Sequence, residues 1–296
     1  MNLSKVLVAG STGMLGMAVT SQLGDQGIEV VESSRNRGIK FDAETNSVDL
    51  LLQSSGLAPG DYIVNCVGLT KVHINDENPL TIERAIRLNV LFPIALARAA
   101  EKKDLRVIQV ATDCVFSGQQ GSYRESDGHD ALDTYGKTKS LGEVHADNVM
   151  HLRCSLVGPE GLGRRSLFFE WIRGLEYGSA ISGYTNHLWN GLTSQTFGKV
   201  VAGIVTSAFF SPGVQHLVPA DSLTKHELVN LELEMLGRTD VQVKKFSTKR
   251  SVDRTLATDN ARVNEALFAQ AGFVRVPTIR EMMEEFPWET LKEGRH

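Results

Sequence analysis

Short unbroken apolar runs alternate with longer stretches whose apolar residues recur every three or four positions through the first half of the chain. KVLVAG (5–10), DYIVNCVG (61–68), RVIQVATDCVF (106–116) and MHLRCSLVG (150–158) are runs of the first kind. They read as strands covered on both faces, because such strands lose the polar alternation of a half-exposed sheet. IEVVESSRNRG (28–38) reads as a strand running into a polar loop, while the residues after Gly16, those from about 80 to 103, and those around Tyr135 carry helical spacing. Repeated strand and helix alternation predicts an α/β fold, a doubly wound parallel sheet of the Rossmann type, with ligands at the carboxyl ends of its strands. Gly10 to Gly16, Asn65 to Gly68, Thr112 with Asp113, and residues 156–159 would then ring one crevice.

The alternation loosens past Gly158. Residues 160–191 are rich in glycine and aromatics, and Phe168, Phe169 and Trp171 read as a small satellite core. In GYTNHLWNG, polar and aromatic residues alternate without a helical or strand stripe, so Asn186, His187, Trp189 and Asn190 are expected on a substrate-facing loop. Helical patterns follow at about 194–207, 223–236, 261–270 and 278–286, with a strand candidate at 214–220 that would return to the sheet.

The first strand ends in a glycine pattern that changes the picture. Gly10, Gly13 and Gly16 fall at intervals of three, between a strand and a helix. In that context Gly10 makes the tight turn, Gly13 lets the backbone approach a pyrophosphate, and Gly16 lets the helix pack on the strand. The second strand ends with Ser34 and Arg35 where an NAD-binding protein usually offers a carboxylate to the ribose. A guanidinium beside a hydroxyl suits a 2′-phosphate, so NADP (NADPH) is favoured over NAD, although Glu32 lies earlier in the strand. The expected division is a NAD(P)-binding unit at 1–158 plus about 192–220, and a smaller α/β substrate-binding unit at about 159–191 plus 221–296.

Candidate chemistry lies in YGKTKSLGE, which sets Tyr135 and Lys139 four residues apart on one helical face. An ammonium beside a phenol favours phenolate and is expected to draw the tyrosine below its usual pKa of about 10. Tyr135 would then exchange a proton with a carbonyl or alcohol.

Composition narrows the setting. With 296 residues, 42% hydrophobic and 22% charged, the chain is long enough for a large core and unlike disordered chains. It has no apolar stretch long enough to cross a bilayer, and MNLSKVLVAG enters a strand directly without a leader pattern. A net charge of −4 gives no reason to expect nucleic acid. Cys66, Cys114 and Cys154 lack metal-type spacing and read as small buried hydrophobes, so a reducing, cytoplasmic setting and no membrane association are expected.

Five ordered motifs, GSTGMLG, NCVG (65–68), ATDCVFSG (111–118), YRESD (123–127) and YGKTKSLGE, resemble the extended short-chain dehydrogenase/reductase superfamily. Within it the chain looks most like the dTDP-4-dehydrorhamnose reductase group of nucleotide-sugar reductases, with a weaker match at RTLATDNARV (254–263). The resemblance implies that Thr112 hydrogen-bonds the reacting oxygen, Tyr135 transfers the proton, and Lys139 holds the nicotinamide ribose and stabilises phenolate. It further implies that Gly10, Thr12, Gly13, Met14, Leu15 and Arg35 line adenosine and pyrophosphate. Asp42 would lie near adenine, and Asn65, Cys66 and Val67 behind the cofactor. Asp113 and Arg254 fall on the substrate side. A homodimer is expected, and no metal.

Two departures bear on substrate: Cys114 stands where the group commonly has tyrosine, and GYTNHLWNGLTS replaces its proline-containing loop. The expected activity is NADPH-dependent reduction of a nucleotide-linked 4-keto-6-deoxy sugar for surface polysaccharide. The alternatives are a nucleotide-sugar epimerase or dehydratase holding NAD tightly, and a non-catalytic NADP-binding regulatory subunit.

Overall fold

A computed structural model gives the structure of residues 4–160 and 166–288; residues 161–165, within the segment read as irregular, lie outside the described residues. The first half contains, in order, β1 (Val6–Ala9), α1 (Met14–Asp25), β2 (Val30–Ser34), β3 (Ile39–Lys40), α2 (Val48–Ser55), β4 (Tyr62–Asn65), α3 (Pro79–Ile86), α4 (Phe92–Glu101), β5 (Arg106–Thr112), α5 (Thr134–Leu141) and β6 (Val149–Cys154). The second contains β7 (Leu156–Val157), α6 (Phe168–Arg173), β8 (Ala180–Tyr184), β9 (His187–Trp189), β10 (Leu192–Thr193), α7 (Ser194–Ser207) and β11 (Gly213–His216). It ends with β12 (Leu223–Thr224), α8 (Lys225–Met235), β13 (Gln242–Phe246), β14 (Val252–Asp253), α9 (Ala261–Gln270) and α10 (Ile279–Glu284).

Seven strands form one parallel sheet in the order β11-β6-β5-β4-β1-β2-β3. The strand order reverses beside β1, which has β2 on one side and β4 on the other. Such a reversal opens a crevice at the carboxyl ends of the strands. Burial explains the unbroken apolar runs: along β1, Val6 and Val8 join one core cluster while Leu7 and Ala9 join the cluster on the opposite face. Helices α1 and α7 cover the first face, and α2 and α4 the second.

The helical stretch predicted from about 80 to 103 is interrupted rather than regular. Between α3 and α4, residues Arg87–Leu91 form a π-type turn in which the Phe92 N–H donates to the Arg87 carbonyl, just ahead of Pro93. Proline has no N–H for the ladder, so widening the turn there accommodates it. The same turn carries the buried Asn89.

The second half corrects two expectations. Residues 186–190 do not form an open loop: His187–Trp189 is the middle strand of a three-stranded sheet ordered β12-β9-β14. Phe169 does not nucleate a separate satellite; it stacks at 5.7 Å on Trp288 within the main core, whereas Trp171 is 44% exposed.

Candidate active site

The glycine turn has the form a dinucleotide requires, and each glycine has its own reason. Gly10 has φ +81°, in the left-handed region, and an added Cβ would lie 3.1 Å from both Cys66 and Val67. A Cβ on Gly16 would collide with the Gly10 carbonyl oxygen, so α1 could not seat on β1. Gly13 differs: a Cβ there would meet protein only at 3.4 Å, so its own fold tolerates a side chain and the missing atom leaves space on the ligand side. Gly13 is also the N-cap of α1 and supplies no side-chain acceptor. The first-turn N–H groups of Met14, Leu15 and Gly16 have no intrahelical partner and face an anion site. Ser11 beside them is buried with an unpartnered Oγ. These residues fit a pyrophosphate, and Thr12 and Met14 lie half-buried in the same turn. The Leu15 side chain, expected along the cofactor, packs in the core, leaving only its backbone N–H to contribute.

At the end of β2 the two expected residues separate. The Ser34 Oγ is committed to its own turn, accepting from the Arg37 N–H at 2.8 Å and donating to the Arg37 carbonyl at 2.9 Å. Arg35 is exposed and makes no ion pair among the described residues, while Arg37 pairs with Glu32 at 2.9 Å. A 2′-phosphate would therefore find Arg35 free and Glu32 neutralised. Asp42 follows β3, half-buried, with one oxygen accepting from the Glu44 N–H at 3.0 Å. Asn65 is fully buried and acts through structure: its amide donates to Gln109 at 2.8 Å and its oxygen accepts from the Val67 N–H at 3.0 Å, fixing Cys66 and Val67 against Gly10. Burial pushes the Cys66 thiol up to about 12, so it stays a neutral wall.

Thr112 ends β5 and caps the short turn Asp113–Val115, its Oγ1 accepting from the Cys114 N–H at 3.2 Å and donating to Asp113 at 3.2 Å. Helix α5 lies against this turn. It can do so because of Gly136, where a Cβ would collide with the Cys114 carbonyl and with Ala131. That close approach sets the half-buried Tyr135 beside the Thr112 hydroxyl. Asp133 caps α5, accepting from the Gly136 N–H at 2.8 Å and from Lys71 Nζ at 2.8 Å. Lys71, Asp76, Asp133 and Tyr135 line a cleft of about 390 Å³. A larger one of about 660 Å³, between α2 and α4, includes none of the predicted site residues.

The expected electrostatics of Tyr135 are reversed. Burial raises the phenol above its ordinary value, and the neighbouring Cys114, Asp113 and Asp133 reinforce the rise against the Thr112 hydrogen bond. Lys139 does share the face, yet its Nζ donates to the Val110 carbonyl at 2.8 Å, and burial lowers its own pKa against the pull of Glu143. Tyr135 thus rests as a protonated phenol, which is the form that donates to a carbonyl.

Of the residues expected to face substrate, Asp113 is buried beside Thr112, with its pKa raised by burial against the fields of Arg254 and Lys225. Arg254 donates from Nε to the Phe116 carbonyl at 2.8 Å, which ties the C-terminal segment to the loop after Thr112. Asn186, His187 and Asn190 hydrogen-bond within the fold. Asn186 brackets Thr248, donating to its carbonyl at 2.9 Å and accepting from its N–H at 3.2 Å, and His187 lies 3.1 Å from the Thr248 hydroxyl. Asn190 brackets Leu256 in the same way at 2.7 and 2.9 Å. Trp189 is buried, with its Nε1 donating to Ser155 at 2.8 Å and its ring 5.2 Å from the Lys225 ammonium.

Asn89, Lys71 and Lys225 also lie around these elements, with no motif in the sequence to mark them. Asn89 accepts from the Leu69 N–H at 2.8 Å and donates to the Leu69 carbonyl at 3.0 Å and to Thr138 at 3.2 Å, linking the segment after β4 to α5. The capping box of Thr224 with Glu227 was a readable helix start next to Lys225, but nothing local connects that start to Asp113.

Residues 4–158 match the family model described as RmlD substrate binding domain. The dTDP-4-dehydrorhamnose reductase of Mycolicibacterium smegmatis is 23% identical over 290 residues, covering 95% of this chain and 84% of that protein. The probable low-salt glycan biosynthesis reductase of Haloferax volcanii is 31% identical over 142 residues, and that match spans 46% of each chain, about half the length of the relative. A dTDP-4-dehydrorhamnose reductase from Bacillus anthracis, solved in complex with NADP, superposes with a TM-score of 0.78 at 20% identity, covering 97% of this chain and 99% of that one. That last likeness is one of fold. With the family model spanning more than half of its length, the chain belongs to the RmlD substrate binding domain family.

Proposed function

We propose that this chain is an NADPH-dependent reductase of a nucleotide-linked 4-keto-6-deoxy sugar, acting in glycan or surface polysaccharide assembly. The observation that carries the reading is the seating of Tyr135 against Thr112, made feasible by Gly136, at the same sheet edge as the Gly10 to Gly16 turn. The names of the Mycolicibacterium and Haloferax relatives support the reaction class, and the NADP of the Bacillus structure supports the cofactor.

The cofactor, when bound, supplies a hydride to carbon. This chain's residues supply the rest. Tyr135, held protonated by burial, donates to the carbonyl oxygen, and Thr112, on turning its hydroxyl from Asp113, meets the developing alkoxide with a second hydrogen bond. Lys139, on leaving the Val110 carbonyl, reaches the ribose hydroxyls and favours the phenolate that Tyr135 becomes. Arg35 takes the 2′-phosphate. Residues to 158 with 192–220 form the cofactor unit in this reading, and the remainder holds the sugar nucleotide.

Nicotinamide absorbance should be followed with thymidine-, uridine-, guanosine- and cytidine-linked 4-keto sugars generated by dehydratases. The reading expects NADPH to be consumed with at least one of them, and faster than NADH. Tight NADPH binding with no consumption across the panel would instead indicate a regulatory role, and nicotinamide that stays bound through purification an epimerase.

A further inference from the structure

Helix α8 opens with Lys225, directly after β12, which pairs Leu223 with Trp189 and Thr224 with Leu188. This register holds the Lys225 ammonium 4.8 Å from the Phe168 ring and 5.2 Å from the Trp189 ring. Both rings are held in place, Trp189 by Ser155 and Phe168 by the core behind α6. Asp113 and Cys114, in the turn that supports Thr112 and adjoins Tyr135, are near enough for their charges to act on Lys225.

Lys225 is only half exposed, and its Nζ makes no hydrogen bond or ion pair among the described residues. Aromatic faces attract a cation but leave three N–H donors unused. A second cation, Arg254, acts on the same ground, and the facing carboxylate Asp113 already accepts from Thr112. With burial raising both Asp113 and the nearby Glu232 toward their neutral forms, the two cations leave a positive surplus beside the turn that supports Thr112. The positive end of α8 adds to it.

We propose that Lys225 is a substrate-binding residue that receives an anionic oxygen group of the substrate, a phosphate or a carboxylate, at the wall formed by Phe168 and Trp189. The proposal deepens the reductase reading and rests on it for the identity of the pocket. It makes Lys225 a determinant of specificity, since a neutral substrate would leave the ammonium desolvated and unpaired.

The charged groups around Lys225 set its pH response. Burial lowers it to about 8, against the pull of Asp113, Cys114 and Glu232 and with the help of Arg254. Cys114 is pushed up to about 12 and does not titrate in the working range. Burial raises Asp113 and Glu232, and protonation of either strengthens the positive field. Loss of anion binding as pH rises through about 8 is therefore the signature of Lys225.

The test reads equilibrium binding, by calorimetry on the NADP-loaded full chain, so it stands whether or not the chain turns substrate over. The probes are dTDP, UDP, a nucleotide-linked uronate and its neutral hexose counterpart. Lys225→Met should weaken at least one anionic probe about tenfold or more, as expected for losing a charged hydrogen bond. Lys225→Arg should restore most of that affinity and remove the alkaline fall, because guanidinium does not titrate there. Weakening of dTDP and UDP themselves assigns the group to the diphosphate, and weakening confined to the uronate assigns it to a sugar carboxylate. Unchanged affinity of Lys225→Met for every probe would overturn the proposal, as would an alkaline fall that persists in Lys225→Arg, or no binding of any probe by the wild type. An unchanged unfolding midpoint checks that Lys225→Met folds, and Lys225→Arg decides the matter if it does not.

Discussion

At the scale of single residues, an amino-acid's chemistry was legible and its surroundings were not. Tyr135 was found from its spacing to Lys139, but spacing said nothing of the burial that raises the phenol, nor that the Lys139 ammonium rests on the Val110 carbonyl. The polar residues 186–190 misled for a related reason. A carboxamide suits a ligand or a backbone equally well, and only the register of β9 shows that Asn186 and Asn190 bracket Thr248 and Leu256. Arg35 lies exposed in the loop after a strand and makes no ion pair among the described residues. Replacing it gives a residue-scale prediction: Arg35→Ala should raise the KM for NADPH by about tenfold or more and leave that for NADH nearly unchanged, since only the 2′-phosphate loses a charged hydrogen bond. Equal losses for both cofactors in initial-rate measurements would remove Arg35 from phosphate recognition.

Elements were legible where their cause was local. The apolar runs became the central strands because both faces of the sheet are covered, and α7 and α9 fall where their periodicity placed them. The π-type turn carrying Asn89 was not legible, because a widened turn beside Pro93 leaves the helical spacing of its apolar residues almost unchanged. Close packing between elements is where glycine identity matters. Gly136 allows α5 to touch the turn after β5, so Gly136→Ala should destabilise the fold by about 1–3 kcal/mol, the usual range for overpacking. It should also lower turnover more than cofactor affinity, by moving Tyr135 away from Thr112. Denaturant unfolding with initial rates checks both, and full activity in a stable Gly136→Ala protein would show that the contact is not needed.

On the scale of the whole molecule, the carboxyl ends of the parallel strands are joined to the C-terminal segment by a buried network that no local pattern announced. The fully buried Arg153 donates to Glu143 at 2.5 Å, to His216 Nε2 at 2.7 Å and to His129 Nε2 at 2.8 Å. A guanidinium has no acceptor, so both histidines must be neutral with the proton on Nδ1. His216 Nδ1 then donates to the Ala257 carbonyl at 2.6 Å, and His129 Nδ1 to Ser140 on α5 at 2.7 Å. Burial lowers both histidine pKa values despite nearby Glu143 and Glu125, with Arg153 acting in the same direction. The unfolded chain therefore binds more protons as pH falls. The stability these groups contribute is fully present above the unfolded histidine value of about 6.5 and is lost as pH drops through their lower folded values. Melting temperature should fall between about pH 7 and pH 5, and a His129→Gln, His216→Gln double variant should show a shallower fall because the acceptors remain without titrating. An unchanged slope in that variant would place the acid sensitivity elsewhere. No described helix is long and apolar enough to cross a membrane.

In the proposed reaction Tyr135 delivers the proton of an NADPH-dependent ketone reduction, with Thr112 sharing the oxygen. The most direct test of that role is the rate of NADPH consumption with a thymidine-linked 4-keto-6-deoxy sugar, compared between the wild type and Tyr135→Phe at matched NADPH occupancy. Steady consumption by the wild type and a loss of about 100-fold or more in the variant, with NADPH binding retained, are expected. Near wild-type consumption by Tyr135→Phe would contradict it.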